Sequence, residues 1–322
     1  MWGSLILTDW VALALSGTIS FSILSIMEKV LLNRWFSNSK SFCVVIGGVQ
    51  VFIGLLISLV VPLSLDNYWE SYLFAIISGF TSGLMLCIIF YSLKTLDISR
   101  VYSLLSSYPI FAAILASLIL NEKLEFLDWI SIIFVVMGAG IATGTGNINQ
   151  TKLNYRNLIL CMLVILASGF YGSGEVAYKY ALNMNNYSGN ALFWNLFVLR
   201  TLSTGFFLIL LSVIWEPVKV IQDLKISLNN ISSKVLVIIS QVIIAPISIF
   251  LQVSALSAGP VSLVTALMAS RPLFILGLSS LLSLPRVGIL SESLGKKMIL
   301  LKLFAILMIL TGVIFITAKE NF

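Results

Sequence analysis

Three ionisable residues, Glu175, Arg200 and Arg271, lie inside long apolar runs of this chain. At a helix centre in a bilayer an Arg or an acidic residue costs on the order of 2.5–3.5 kcal/mol on insertion scales, so such groups face a bundle interior or a cavity rather than lipid. Glu175 shares a helical face with Tyr171, Gly172, Tyr178 and Lys179. Its carboxylate suits a substrate amine or a coupling proton; the alternative is an i,i+4 pair with Lys179 near the membrane surface. Arg271 immediately precedes Pro272, whose missing N–H leaves the Met268 carbonyl without its helical partner. A broken helix beside a fixed guanidinium suits an anionic ligand group, and an internal pair with Glu175 is the alternative. Arg200, Tyr108, Tyr171, Trp194 and Asn195 complete the candidate substrate contacts, with packing or interfacial anchoring as the other role open to the aromatics. Pro109 and Pro272 are candidate hinges; Pro109 frees the Leu105 carbonyl, and Pro246, which frees that of Val242, reads as merely tolerated.

Other chemistries are excluded by residue type. The chain has no histidine, which removes His-ligated zinc, His–Asp triads and histidine proton relays. No P-loop, dinucleotide fingerprint or basic aromatic nucleic-acid surface is present. Cys43, Cys87 and Cys161 all fall in apolar stretches and read as small buried hydrophobes, not as a disulfide framework or a metal site. The expectation is therefore no enzyme, no cofactor, no metal and no nucleic-acid partner.

The elements that must position these residues are membrane helices. Of 322 residues 59% are hydrophobic and 10% charged, against about 25% charged in soluble domains. A bilayer can solvate that much apolar surface and water cannot. The first apolar run follows Asp9 and lacks a positive n-region, so it reads as a span and not as a signal peptide. Apolar runs of about 20 residues predict ten spans, near Trp10–Leu32, Ser41–Pro62, Tyr72–Leu93, Val101–Leu120, Leu127–Thr143, Asn157–Leu182, Ser188–Ile214, Val235–Ser257, Val261–Leu284 and Ile299–Thr317. Trp215–Lys234 and Pro285–Met298 are the longer connections, and Asn147–Asn154 is the midpoint linker.

The spans repeat. Leu93 aligns with Leu256, Ser99 with Ser262, Val101 with Val264, Pro109 with Pro272 and Phe111 with Phe274, without gaps. Gly138 aligns with Gly312 and Thr143 with Thr317; Phe21 aligns with Tyr171 and Lys29 with Lys179. An 11-residue gain between the fourth and fifth helices of the second half places an insertion at Pro285–Met298. Five spans per half is odd, so the halves cross in opposite senses, an architecture many secondary transporters use around a midplane site. The fold class is thus an all-α polytopic membrane protein of ten helices in two inverted five-helix repeats, residues 1–146 and 155–322.

The run from Tyr91 through Pro109-Ile-Phe111, then Leu120-Asn-Glu-Lys and the Gly138 helix, resembles the EamA-type repeat of the drug/metabolite transporter superfamily. Asn121-Glu122 stands where that family carries an acidic "GE"-like pair. The stretch from Ala255 through Pro260 to Arg271-Pro272-Leu-Phe274 repeats the pattern, but Leu284-Pro285 replaces the acidic pair and Arg271 is a departure before the proline. The resemblance implies a central cavity between the halves and carriage of small metabolites, often amino-acid-like or drug-like, usually as efflux. A lipid-modifying intramembrane enzyme and a non-transporting scaffold are the rival classes. The first would need an acid/base or nucleophile cluster; the second would not gather charge at the midplane.

Charge bias predicts orientation. The side holding both ends of the chain carries Lys123, Lys179 and Lys319, and the other carries 14 Lys or Arg, from Lys29 and Arg34 to Lys297 and Lys302. The second side is expected to be cytoplasmic, opposite to the usual orientation of the family. The setting is a bacterial-type inner or plasma membrane; the partners are lipid and a small-molecule substrate, with protons through Glu175 or facilitated exchange as coupling, in a monomer or homodimer.

Overall fold

The computed structural model describes residues 10–61, 69–96, 98–144, 155–184, 190–282 and 296–320, and among these every regular element is helical. The first three helices are α1 (Trp10–Arg34), α2 (Ser39–Val60) and α3 (Trp69–Leu93). A broken pair follows, α4 (Ile98–Leu105) and α5 (Tyr108–Ile119), then α6 (Phe126–Gly144). The rest comprises α7 (Tyr155–Asn183), α8 (Asn190–Trp215), α9 (Pro217–Ser227), α10 (Ile231–Val237), a π-helical stretch Ile238–Ile244, α11 (Ala245–Ala258), the second broken pair α12 (Val261–Met268) and α13 (Arg271–Leu282), and α14 (Lys296–Glu320). Six helices among the described residues are long and apolar enough to cross a membrane, and four shorter apolar ones accompany them, Tyr108–Ile119, Phe126–Ile141, Val261–Ile275 and Phe304–Thr317.

The distribution of polarity is that of a protein dissolved in hydrocarbon. Large apolar side chains such as Leu59 and Phe126 are 82% and 79% exposed, whereas Glu175 and Arg200 are 0% and 5% exposed. Lipid tails solvate the outer face, so polar groups must find partners inside. Many buried hydroxyls do so locally: Thr18, Ser22, Ser82, Thr201 and Thr204 each donate to the carbonyl four residues earlier.

The two broken helices are congruent. Each comprises eight residues, a two-residue turn and twelve more, and every boundary of the second is displaced by 163 positions from the first. The turns also bond alike: Ser107 N–H donates to the Leu104 carbonyl and Ile110 N–H to Ser107, while Ser270 N–H donates to Leu267 and Leu273 N–H to Ser270. Proline is the cause in both cases. Neither Pro109 nor Pro272 can donate backward, and each sits at the start of the second segment, where no donor is needed. The spans expected over Val101–Leu120 and Val261–Leu284 are therefore each interrupted at these prolines.

Pro246 behaves differently. The π-helical turn lies immediately before it, and the Ala245 N–H reaches back to Ser240, five residues away. The expected long connection Trp215–Lys234 is mostly the helix α9, on the molecular surface against α2 and α8. Asn147–Asn154 and most of Pro285–Met298 lie outside the described residues; within the latter, α14 starts at Lys296.

Helices cross closely at paired glycines. A Cβ on Gly138 would stand 2.7 Å from Ile309 Cγ1 and 2.9 Å from the Ala305 carbonyl oxygen; one on Gly312 would stand 2.7 Å from Val135 Cγ2 and 2.8 Å from the Ser131 oxygen. The contact is reciprocal, and advancing along α6 means retreating along α14, so the two run antiparallel. Gly47 on α2 and Gly205 on α8 are related likewise, each virtual Cβ 2.6 Å from the other's carbonyl oxygen. Small residues let backbones approach where no hydrophobic force drives association within lipid.

Gly138→Val should therefore lower thermal stability in detergent by the overpacking cost, about 1–3 kcal/mol. Gly48→Ala, which would meet nothing within 4 Å, should not. A differential scanning fluorimetry melt of the two variants checks this.

Candidate functional site

Helices α1, α2, α3, α7, α8 and α11 with the π turn surround one lobe of a central cavity. A second lobe lies between α1, α3, the broken fourth span and the break before Pro272. Phe21, Leu24, Glu28, Met85, Leu86 and Tyr171 line both, so the two lobes adjoin.

In the first lobe Arg200 is held by Glu175 in a two-pronged ion pair, Nη1 to Oε2 at 3.2 Å and Nη2 to Oε1. The guanidinium also stands 4.7 Å from the centre of the Tyr178 ring. Three amides join the wall, Gln50, Gln241 and Gln252. Gln252 donates to the Tyr171 hydroxyl at 2.7 Å, and Gln241, from the π turn, donates to Glu28 at 3.3 Å. The Gln50 side-chain oxygen is buried without a hydrogen-bond partner among the described residues.

The second lobe is built around Arg271. Its guanidinium lies 4.6 Å from the Phe21 ring centre and 5.9 Å from that of Tyr102, and Ser22 donates to its backbone carbonyl at 3.3 Å. Across the lobe Tyr108 packs on Tyr171 with ring centres 5.0 Å apart, and its hydroxyl donates to the Thr265 carbonyl. Arg271 and Tyr108 are aligned positions, as are Phe21 and Tyr171, so one wall carries a cation over a ring where the other carries a ring over a ring.

The candidate residues thus divide. Arg200, Arg271, Tyr171, Tyr108 and Pro272 line the cavity. Glu175 lines neither lobe; it is fully buried behind Arg200. Its partner in that pair is neither of the two expected for it. Lys179 instead donates to the Leu256 and Ser257 carbonyls at 2.7 and 3.3 Å, and the arginine that Glu175 binds is Arg200, not Arg271. Trp194 stacks on Phe250 among Phe193 and Phe197, and Asn195 is buried; both lie outside the two lobes, as does Pro109. Glu28 is the residue missed from sequence. Its place in the last turns of α1 beside Lys29 reads as end-of-helix charge, yet it is 6% exposed and lines both lobes. The faint signal was its spacing of seven from Phe21, two turns along one face.

Side chains also close both ends of the bundle. At the end where Trp10 packs on Gly259, Glu122 accepts from the Val261 and Ser262 N–H groups at 2.8 and 3.2 Å and from the Ser262 hydroxyl at 2.6 Å. A carboxylate at a helix N-terminus satisfies free donors and opposes the dipole. Asn121, at φ 53°, turns the chain to place it. At the other end Lys29 donates to the Leu93 carbonyl at 2.9 Å, and Lys94 donates to the carbonyls of Leu32 and Phe36. Burial lowers the Lys94 ammonium below the usual lysine range, while Asp223 pulls it the other way. Asp223, on α9, accepts from the Ser37 and Asn38 N–H groups at 3.2 and 3.1 Å.

The sequence over 8–144 matches the EamA-like transporter family. The match spans the first half of the chain and is consistent with an EamA-type drug/metabolite transporter. It is a family of membrane transporters and not of enzymes. The match agrees with the apolar helices, and together they support an integral multi-pass membrane protein. A solved crystal structure of a protein 13% identical is similar over 98% of this chain and 97% of that one, with a TM-score of 0.66. At that identity the likeness shows the fold alone. No curated protein matches the sequence.

Removing one partner of the buried pair leaves the other charge stranded. Glu175→Gln should destabilise the protein by about 3–5 kcal/mol, and Glu175→Met with Arg200→Met should recover most of that loss. Thermal melts of the purified single and double variants compare the two.

Proposed function

We propose that this chain is a secondary transporter that carries small organic metabolites with an anionic group, by alternating access between two inverted five-helix halves, residues 1–146 and 155–322. The observation that carries the substrate class is the unequal state of two arginines. Arg200 is neutralised by Glu175, whereas Arg271 lines the cavity and belongs to none of the described ion pairs. A guanidinium clamped between aromatic rings, at the mouth of a broken helix, is preorganised for a carboxylate or phosphate. The amides of Gln50, Gln241 and Gln252 offer donors and acceptors to the remainder of a polar substrate.

Inversion is supported by the antiparallel crossings at Gly138/Gly312 and Gly47/Gly205 and by the congruent breaks before Pro109 and Pro272. In this reading the four shorter apolar helices complete ten crossings. Lys29 capping Leu93 and Lys179 capping Leu256 are the same interaction in the two halves, since both members of each pair are aligned. Inter-half ties then act as gates. Glu122 fastens the first half to α12 at one end, and Asp223 fastens α9 to the α1–α2 turn at the other; opening either requires releasing its carboxylate. Efflux across a bacterial-type inner or plasma membrane is the direction the family suggests.

Proteoliposome uptake of a labelled panel of amino acids and organic acids tests the substrate class. Arg271→Ala should reduce transport of the anionic members by roughly tenfold or more, the loss of one charge-assisted contact, and unchanged transport would remove Arg271 from the site. The lysine and arginine bias places both ends of the chain outside. A reporter fused after Phe322 that is active only in the cytoplasm would overturn that orientation.

A further inference from the structure

Glu28 is the carboxyl that neither the Arg200 pair nor the gates use. It lines both lobes, is 6% exposed and belongs to none of the described ion pairs. Its described hydrogen bond comes from the Gln241 amide, a neutral donor, at 3.3 Å. A carboxylate so enclosed keeps its charge only at a cost that one amide does not offset, and a proton removes that cost.

Its surroundings set what the proton would do. The groups that interact electrostatically with Glu28 or share its lobes are Cys43 on α2, Tyr102 on α4, Tyr108 on α5, Tyr171 on α7, Arg200 on α8 and Arg271 on α13. From α3 and α11 come Met85 and Gln252, which do not titrate. Arg200 is already neutralised, so the charge that Glu28 balances across the cavity is that of Arg271. While Glu28 is ionised, the second lobe is close to neutral and holds an anion weakly. Once Glu28 takes up a proton, the lobe is left with one positive charge.

We propose that Glu28 is the proton-binding site of the cavity, and that a proton on Glu28 and an anion on Arg271 occupy it together and move together. This rests on the anion-transport reading above. The coupling is reciprocal: the proton strengthens anion binding, and the anion strengthens proton binding by the same factor. Gln241 gives the proton a route to conformation, because the π turn it sits on is where α10 and α11 meet around Pro246.

Two measurements separate this proposal from the reading beneath it. Infrared difference spectra of the purified full chain across a pH series should show a protonated-carboxyl band that disappears in Glu28→Gln and shifts its midpoint in Glu28→Asp. This arm needs no substrate. A band that persists in Glu28→Gln overturns the site; should that variant not fold, an unshifted midpoint in Glu28→Asp does so.

In the second arm, proteoliposomes at zero membrane potential are given succinate, glutamate or glycerol 3-phosphate. A gradient of about one pH unit should drive roughly tenfold accumulation of a substrate moving with one proton. Glu28→Gln should show none, and Glu28→Asp should restore it. Accumulation that survives Glu28→Gln overturns the coupling. If the wild type moves none of the three probes, the anion reading and the coupling built on it fall, and the infrared arm still decides the proton site.

Discussion

A backbone carbonyl or amide without a partner in hydrocarbon costs several kcal/mol, and this chain breaks two helices in its interior. Everything else in the architecture answers that constraint. The breaks are tolerated because the turns Ser106-Ser107 and Ala269-Ser270 retain tight backbone bonds and because the prolines that follow need no donor. Helix ends next to the breaks are closed by side chains from elsewhere: Glu122 on the N–H groups opening α12, Lys179 on the carbonyls closing α11, Lys29 on the one closing α3. These caps reach between helices, so each also fixes the position of one helix relative to another. Satisfying the backbone and assembling the bundle are the same act here.

The charges follow a second rule, that burial without a partner is tolerated only where it does something. Glu175 and Arg200 satisfy each other in two-pronged geometry and position α7 against α8 and the first lobe. Truncating one would strand the other, which makes the pair a determinant of structure even though a pair of apolar residues could replace it at little cost. Glu28 is buried and Arg271 half-buried; neither belongs to an ion pair among the described residues, and both line the cavity. Their separation is what leaves the second lobe able to accept another charged group.

What sequence revealed and what it hid divide along range. The family, the helical membrane fold and the aligned pairs Lys29/Lys179, Leu93/Leu256, Pro109/Pro272 and Gly138/Gly312 were legible, because hydropathy and repetition are properties of the chain read along its length. The prolines announced the breaks for a local reason. The partner of Glu175 was not legible, because Arg200 is 25 residues away on another helix and Lys179 is one turn away. Trp194 and Asn195 share a helix with Arg200 but line neither lobe; Trp194 packs instead against Phe193, Phe197 and Phe250. Glu28 was hidden by its place four residues inside the expected end of the first span at Leu32, where Lys29 beside it counts toward the flanking charge. That lysine is turned inward to a carbonyl, and the end of the span lies a turn and a half further on.

The proposed repeat is symmetric in its scaffold and asymmetric in its charges, and electrostatics gives the reason. Capping lysines, hinge prolines and crossing glycines come in aligned pairs, because the same backbone break needs the same remedy in each half. Glu28 aligns with Tyr178, Glu175 with Ser25, and Arg271 with Tyr108. Near a pseudo-two-fold axis a residue lies close to its own equivalent, so a symmetric arginine would meet an arginine and a symmetric carboxylate a carboxylate. Like charges in a low-dielectric interior repel strongly, and one of each pair would give up its charge. Glycine and proline carry no such penalty and can be duplicated freely. A two-fold scaffold can thus open alike to both sides of the membrane, while the chemistry at its centre has to be written once, on one half or the other.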